Sequence, residues 1–329
     1  LNNFDKTFLS FMDNFSEKKS TALDVIGIGN AIVDVLVHAE DSFLKKQALE
    51  KGSMTLLNED QAEKLYAEIG PGLESSGGSA ANTLAGIAEL GGKAGFIGRV
   101  KKDQLGEIFS HDISSAGAIF NTPKALEGPS TARCLIFVTP DAQRTMCTYL
   151  GASVLLEPKD LDLSLVKEAK VLYLEGYLWD NESAKRAFIE ASKESKKSGG
   201  KVALSLSDSF CVDRHRESFL DLIDKHVDIL FANESEITSL YEEPNLELAI
   251  TNVEGKCELA AITCGEKGSI ILSSKGRYKI NAYKLGELID TTGAGDLFAA
   301  GFLYGYTKGE EVLRCGQIGS ICAGQIVTQ

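Results

Sequence analysis

The run Asp290-Thr291-Thr292-Gly293-Ala294-Gly295-Asp296-Leu297-Phe298 carries the most specific chemistry in this chain. Gly293, Ala294 and Gly295 stand immediately before an apolar helical stretch. Small residues there let backbone N–H groups point at an anion, and the helix terminus adds its partial positive charge. Asp296, in the first turn, sets a carboxylate beside that anion hole. Phosphoryl transfer needs this pair of features: donors for the migrating phosphoryl and a base for the attacking hydroxyl. A G-x-G-D alone would describe an ordinary helix start whose acid complements the dipole. The flanking threonines and Asp290 make the anion hole the stronger reading.

Other familiar nucleotide motifs are missing. Gly27-Ile28-Gly29 is followed by Ile32 rather than a third glycine, so the dinucleotide fingerprint fails. No G-x-x-x-x-G-K-[ST] occurs anywhere, which excludes a P-loop.

The elements that must position these residues alternate. Asp24–Ile28 and Gly95–Val100 read as strands, and Ser79–Leu90, with Ser79 as its N-cap, and Asp103–Ala116 read as helices. Thr131–Thr139 and Arg144–Leu150 alternate like a hairpin turned at Pro140-Asp141. Beyond them, Val171–Leu174, Val202–Leu206, Ile229–Ala232 and Ala260–Thr263 are strand-like. The helical stretches Ser183–Ser198, His215–Lys225 and Glu234–Tyr241 separate them. A second alternating stretch covers Ser269–Ala282, and Gly293–Gly305 and Glu310–Val327 close the chain as apolar helices. Strand–helix alternation implies an α/β fold with a mostly parallel sheet covered on both faces. Residues 33–57 and 129–150 break the alternation and suit a small β-sheet lid. Residues 1–22, with Phe4, Phe8, Phe11 and Phe15 on one helical face, read as an amphipathic extension, leaving 23–329 as the main domain.

Composition narrows the partners. Across 329 residues, 34 Lys and Arg against 47 Asp and Glu leave a net charge of −13, so phosphate backbones and anionic lipid would be repelled. Nucleic acid and membrane are therefore not expected as partners. Seven scattered cysteines with no C-x-x-C, and four histidines without metal-ligand spacing, point to a reduced cytoplasmic protein rather than a zinc protein.

Several motifs together resemble one family. Asp290–Asp296 is similar to the C-terminal signature of the ribokinase-like (phosphofructokinase-B) sugar and nucleoside kinases. Gly77-Gly78-Ser79-Ala80-Ala81-Asn82, followed by Gly91 and Gly98-Arg99-Val100, is similar to the N-terminal signature. Between them, Asn233-Glu234-Ser235-Glu236 resembles the family's N-x-x-E motif, and Thr263-Cys264-Gly265-Glu266-Lys267-Gly268 its T-x-G-x-x-G loop. The resemblance covers about residues 24–329 and implies a three-layer ribokinase-like fold with a β lid.

It also implies roles. Asp296 would be the base, and the Gly293, Ala294 and Gly295 amides would hold the γ-phosphoryl of ATP. Asn233 and Glu236 would position Mg²⁺ through water, although the same pair suits an ordinary capping box. Thr263, Gly265 and Gly268 would let the backbone approach the nucleotide. Arg144, on the second lid strand, would reach the phosphates. Asp290 lies where related kinases bind a monovalent cation such as K⁺ by backbone oxygens.

For the acceptor, Asn30 and Asp34 would offer an amide and a carboxylate to vicinal hydroxyls, which gives strong discrimination against substrates lacking them. Gly77, Gly78, Ser79 and Asn82 would complete that wall. Gly27-Ile28-Gly29-Asn30 with Asp34, Leu172–Tyr177, Ala203–Ser207 followed by Phe210, and Val227–Asn233 resemble the adenosine kinase branch. Met54, Leu56, Leu135, Phe137, Tyr177 and Trp179 are candidates for an apolar sandwich around a purine. Adenosine 5′-OH is the expected acceptor. A sugar kinase acting on ribose or fructose, and a catalytically silent nucleoside or sugar sensor, are the alternatives, in a monomer or a homodimer.

Overall fold

Every residue of the first strand, Leu23–Ile28, is buried, so it must lie inside a sheet covered on both faces. In the computed structural model, which describes residues 23–328, it does. The extension expected over residues 1–22 lies outside the described residues. In chain order the strands are β1 (Leu23–Ile28), β2 (Ile32–His38), β3 (Met54–Leu56), β4 (Leu73–Gly77), β5 (Ala94–Ile97), β6 (Ala118–Phe120) and β7 (Ala132–Val138). They continue as β8 (Arg144–Tyr149), β9 (Ala169–Glu175), β10 (Lys201–Ser205), β11 (Ile229–Asn233), β12 (Leu259–Thr263), β13 (Ser269–Ser273) and β14 (Gly276–Ile280).

Nine of these form the large sheet in the order β14-β13-β12-β11-β10-β9-β1-β5-β6. From β12 to β6 all neighbours are parallel, and the β12–β13–β14 edge is antiparallel. Alternate β1 residues face different layers. Val25 packs in the core with the helices Ser79–Glu89 and Ala294–Thr307, whereas Ile26 and Ile28 pack with Glu182–Lys197 and Ser209–His226 on the other face. Gly27 points at the first layer, where a Cβ would come within 2.4 Å of Leu84. Glycine there lets the Ser79–Glu89 helix sit close to the sheet.

The remaining five strands form the lid, in the order β3-β8-β7-β2-β4. It includes β4, which lies outside the two stretches that the sequence pattern marked. Strand parity separates the two lid faces. Val33, Val35, Val37, Leu135 and Phe137 are buried on one face with Leu44 and Leu65 of the lid helices. Asp34 and Leu36, in register with Cys134 and Ile136, lie on the other.

Local boundaries differ from the sequence reading in instructive ways. The N-cap of the Ser79–Glu89 helix is Gly78 at φ +101°, not Ser79, because Ser79 Oγ is used elsewhere. The last-but-one helix starts at Ala294, with Gly293 its left-handed cap at φ +76°. The helix expected from His215 begins at Ser209 and kinks at His215. No helix among the described residues is long and apolar enough to cross a membrane.

Candidate active site

Parallel α/β sheets present ligands at the carboxyl ends of their strands. Here β1 leads into Gly29-Asn30, while β9 ends at Glu175, β11 at Asn233 and β12 at Thr263. The helix Ala294–Thr307 brings Asp296 to the same edge, half-buried. Asp296 Oδ1 accepts a hydrogen bond from Ser79 Oγ at 2.6 Å, and Oδ2 accepts one from Asn82 Nδ2 at 3.2 Å. Thr83 Oγ1 donates to the Asp296 carbonyl at 3.2 Å. Two signatures more than 200 residues apart therefore meet at one carboxylate. Burial lifts Asp296 above the usual carboxylate range, against the pull of the two side-chain donors. A lifted carboxylate is a better proton acceptor at neutral pH.

The amides around it are divided. Ala294 N–H donates to Thr291 O at 3.2 Å and so is engaged within the turn. Gly293 and Gly295 have no backbone or side-chain acceptor among the described residues. Of the three amides expected to hold an anion, these two are free to do so.

Asp34 enters from the lid. Its carboxylate makes no hydrogen bond to any described residue, and its pKa is pushed up to about 7 by burial and by the nearby Asp296 charge, with Arg144 opposing. Gly77 makes room for it, since a Cβ there would lie 2.3 Å from Asp34 Oδ2. Asn30 differs from the expectation. It is 1 % exposed, its Nδ2 donates to Glu175 Oε1 at 2.7 Å, and its Oδ1 accepts from Ser153 Oγ at 2.8 Å. Each amide atom of Asn30 thus already has a protein partner, which ties the residue to Glu175 and Ser153. Nothing in the sequence near Asn30 announces Glu175, 145 residues away.

Arg144 reaches from the lid to the large domain and pairs with Asp290 at 2.6 Å. The other Asp290 oxygen accepts from Thr292 N and Oγ1 at 3.0 and 2.9 Å, shaping the approach to the anion hole.

On the far side of Ala294 and Gly295 lies a cavity of about 460 Å³. Thr263, Gly265 and Gly268 of the T-x-G-x-x-G segment form one wall. Gly268, at φ +93° with no room for a Cβ, is obligatory in that turn. The opposite wall, from Tyr283 to Leu288 and from Ser320 to Thr328, was not marked by the sequence reading. It is built by non-local packing: a Cβ on Gly324 would lie 2.2 Å from Tyr283 O, and Ile289 N–H donates to Val327 O at 2.8 Å. Its size and largely apolar lining suit the base of a nucleotide.

Asn233 and Glu236 form a complete capping box. Asn233 Oδ1 accepts from Glu236 N at 2.8 Å, and Glu236 accepts from Asn233 N at 3.0 Å and Nδ2 at 2.6 Å. Glu236 is buried, and desolvation together with Asp208 pushes it up to about 7. Among the described residues, no cluster of three or more His, Cys, Asp or Glu could cage a bare metal ion. Asp208, close enough to raise the cost of ionising Glu236, and Glu236 itself are without a basic partner among the described residues and do fit a hydrated Mg²⁺ carried in with phosphates.

The apolar candidates sort by face. Leu135 and Phe137 are fully buried beneath the lid, and Trp179 is core, stacked on Phe219 at 5.7 Å. These three cannot flank a ligand. Met54, Leu56 and Tyr177 are exposed, and Phe210, after β10, is 74 % exposed.

The profile of the pfkB family of carbohydrate kinases matches residues 60–329. A probable sugar kinase of Rhizobium etli CFN 42 is 48% identical in its solved structure, with a TM-score of 0.87 and 94% of each chain covered. The adenosine kinase of Sinorhizobium meliloti is also 48% identical, with a TM-score of 0.86 and 94% of each chain covered. The probable chloroplastic fructokinase-6 of Arabidopsis thaliana is 30% identical over 241 residues. That match covers 70% of this chain and 62% of the relative's length.

Proposed function

Because the chain belongs to the pfkB family of carbohydrate kinases, we propose that it moves the γ-phosphoryl of ATP to a primary hydroxyl of a nucleoside, the 5′-OH of adenosine. One observation carries the reading: Asp296 stands in the first turn of a helix whose N-terminus offers the free Gly293 and Gly295 amides, with the unpartnered Asp34 carboxylate nearby. Asp34 would take the ribose hydroxyls and orient the 5′-OH toward Asp296. Asp296 would accept the hydroxyl proton as the oxygen attacks, and the amides would receive the charge of the migrating phosphoryl. The cavity lined by Thr263, Gly265 and Gly268 would hold ATP. Mg²⁺, carried on the phosphates near Asn233 and Glu236, would supply charge neutralisation. Arg144, next to the anion hole through Asp290, would close the site with the lid and help exclude water.

The likeness to an adenosine kinase supports a nucleoside, and Tyr177, exposed just beyond β9, is a candidate to flank its base. The fructokinase relative favours a sugar as the second reading. The test is ADP release with ATP and Mg²⁺ when adenosine, inosine, ribose and fructose are offered separately, with Asp296→Asn as control. Adenosine turnover lost in the variant supports the proposal, and turnover with a sugar alone overturns the substrate. Running the panel in sodium and in potassium tests a cation at the Asp290 backbone.

A further inference from the structure

The lid is joined to the large domain by four chain crossings: β1 to β2, β4 to β5, β6 to β7 and β8 to β9. Two of them meet directly at one buried carboxylate, and a third joins it through Asn30. Glu175, at the end of β9, is 1 % exposed. Its Oε1 accepts from the first crossing through Asn30 N at 3.2 Å and Asn30 Nδ2 at 2.7 Å. Its Oε2 accepts from Ala80 N at 2.8 Å, at the start of the helix that follows the second crossing. Through Asn30 Oδ1 the network continues to Ser153 Oγ, where the fourth crossing re-enters the large domain.

The crossings are packed without slack around this group. A Cβ on Gly29 would lie 2.4 Å from Glu175 Oε2, and one on Gly78 would lie 2.4 Å from the Asn30 carbonyl. The helix beginning at Ser79 carries both side chains that hold the Asp296 carboxylate. Its first turn is thus tied at one point to Glu175 and at two points to the base.

We propose that Glu175 is the hinge pin of the lid: a positioning residue that couples the lid crossings to the orientation of Asp296 without touching substrate. Three N–H donors aim at it, so a carboxylate satisfies the arrangement. A carboxamide of the same shape must present an NH₂ to one of those donors, leaving that pair unmade. The catalytic part of this inference rests on Asp296 being the base, and the structural part does not.

The experiment uses the full chain with Glu175→Gln, and Glu175→Ala as the more severe variant. The Asn30 and Ala80 amides donate directly to Glu175, so their hydrogen exchange reads the contact. In Glu175→Gln, exchange at residues 29–31 and 79–83 should rise about tenfold or more, while the interiors of β1 and β9 stay protected. With the preferred acceptor, kcat should fall about 10–100-fold, the loss a small misplacement of reacting groups produces. KM for ATP should stay within about twofold, because the nucleotide cavity does not contact Glu175. Unchanged exchange at Asn30 and Ala80 in both variants overturns the hinge pin, as does a loss of protection spread evenly over the large sheet. Wild-type protein that turns over no acceptor overturns the kinase reading instead, and the exchange pattern alone then decides the hinge pin.

Discussion

Truncating Asp34 and the acceptor together gives the sharpest test of the proposed site. Asp34 is the only candidate acceptor-binding carboxylate with no partner among the described residues, so it is free to bond the acceptor. A hydrogen bond to a charged group contributes about 1.5–3 kcal/mol, or roughly 10–100-fold in kcat/KM for each ribose hydroxyl it holds. Asp34→Ala should therefore reduce kcat/KM for adenosine by about 10²–10⁴-fold. On the wild-type enzyme, 2′-deoxyadenosine should lose about 10–100-fold against adenosine. On Asp34→Ala the two nucleosides should converge to within about threefold, because the group that told them apart is gone. The same carboxylate sets a pH dependence. With its pKa raised to about 7, its ionised form grows as pH rises, so kcat/KM should climb by about tenfold between pH 6 and pH 8. Asp34→Asn should flatten that part of the profile and leave any contribution of Asp296. The assay is coupled ADP release across both nucleosides and the pH series. If the deoxy penalty is the same in wild type and Asp34→Ala, Asp34 does not hold the ribose and the assignment fails.

Three further outcomes follow from the same geometry. Asp296→Asn should lower kcat about 10²–10⁴-fold, the range of a lost general base, with little change in KM. Because burial raises the folded pKa of Asp296, its ionised form disfavours the fold above its unfolded pKa, so the variant's melting temperature at pH 8 should not fall. Gly77→Ala would put a Cβ 2.3 Å from Asp34 Oδ2 and should raise KM for the acceptor about tenfold while leaving KM for ATP unchanged, read by initial rates. Far from the site, Asp24 accepts from Lys170 and Lys308, each at 2.8 Å, and from Lys93 N at 3.0 Å. Burial would raise its pKa, but these donors outweigh it and hold the group down to about 2. A lowered carboxylate contributes stability above its unfolded pKa of 3.8 and loses it as pH falls toward 2. Both lysines are partly exposed, so Asp24→Asn should cost about 1 kcal/mol at pH 7 by thermal melts, and the difference should vanish near pH 2.

The sequence by itself determined what is local. The parallel sheet follows from strands buried on both faces, and Gly293–Gly295 before an apolar helix leaves the Gly293 and Gly295 amides unpaired at its terminus from chain-neighbour geometry alone. The Asn233–Glu236 capping box is a three-residue relation and was legible in the same way. Only tertiary structure decided which groups face one another. Asp296 finds Ser79 and Asn82 across 217 and 214 residues, and Arg144 finds Asp290 across the lid. Leu135 and Phe137 fall on the buried face of the lid, and Cys134, one residue away, on the face of Asp34. That parity is fixed by which face the lid helices cover, and nothing within β7 records it. Asn30, read as a substrate contact, is engaged by a glutamate that joins it only because β1 and β9 are neighbours in the sheet. The far wall of the cavity proposed for the nucleotide likewise depends on the residue 281–293 segment docking against the final helix. Hydrogen bonds and van der Waals contacts act over a few ångströms of space, whereas residue spacing reports proximity only within a single helix, strand or turn.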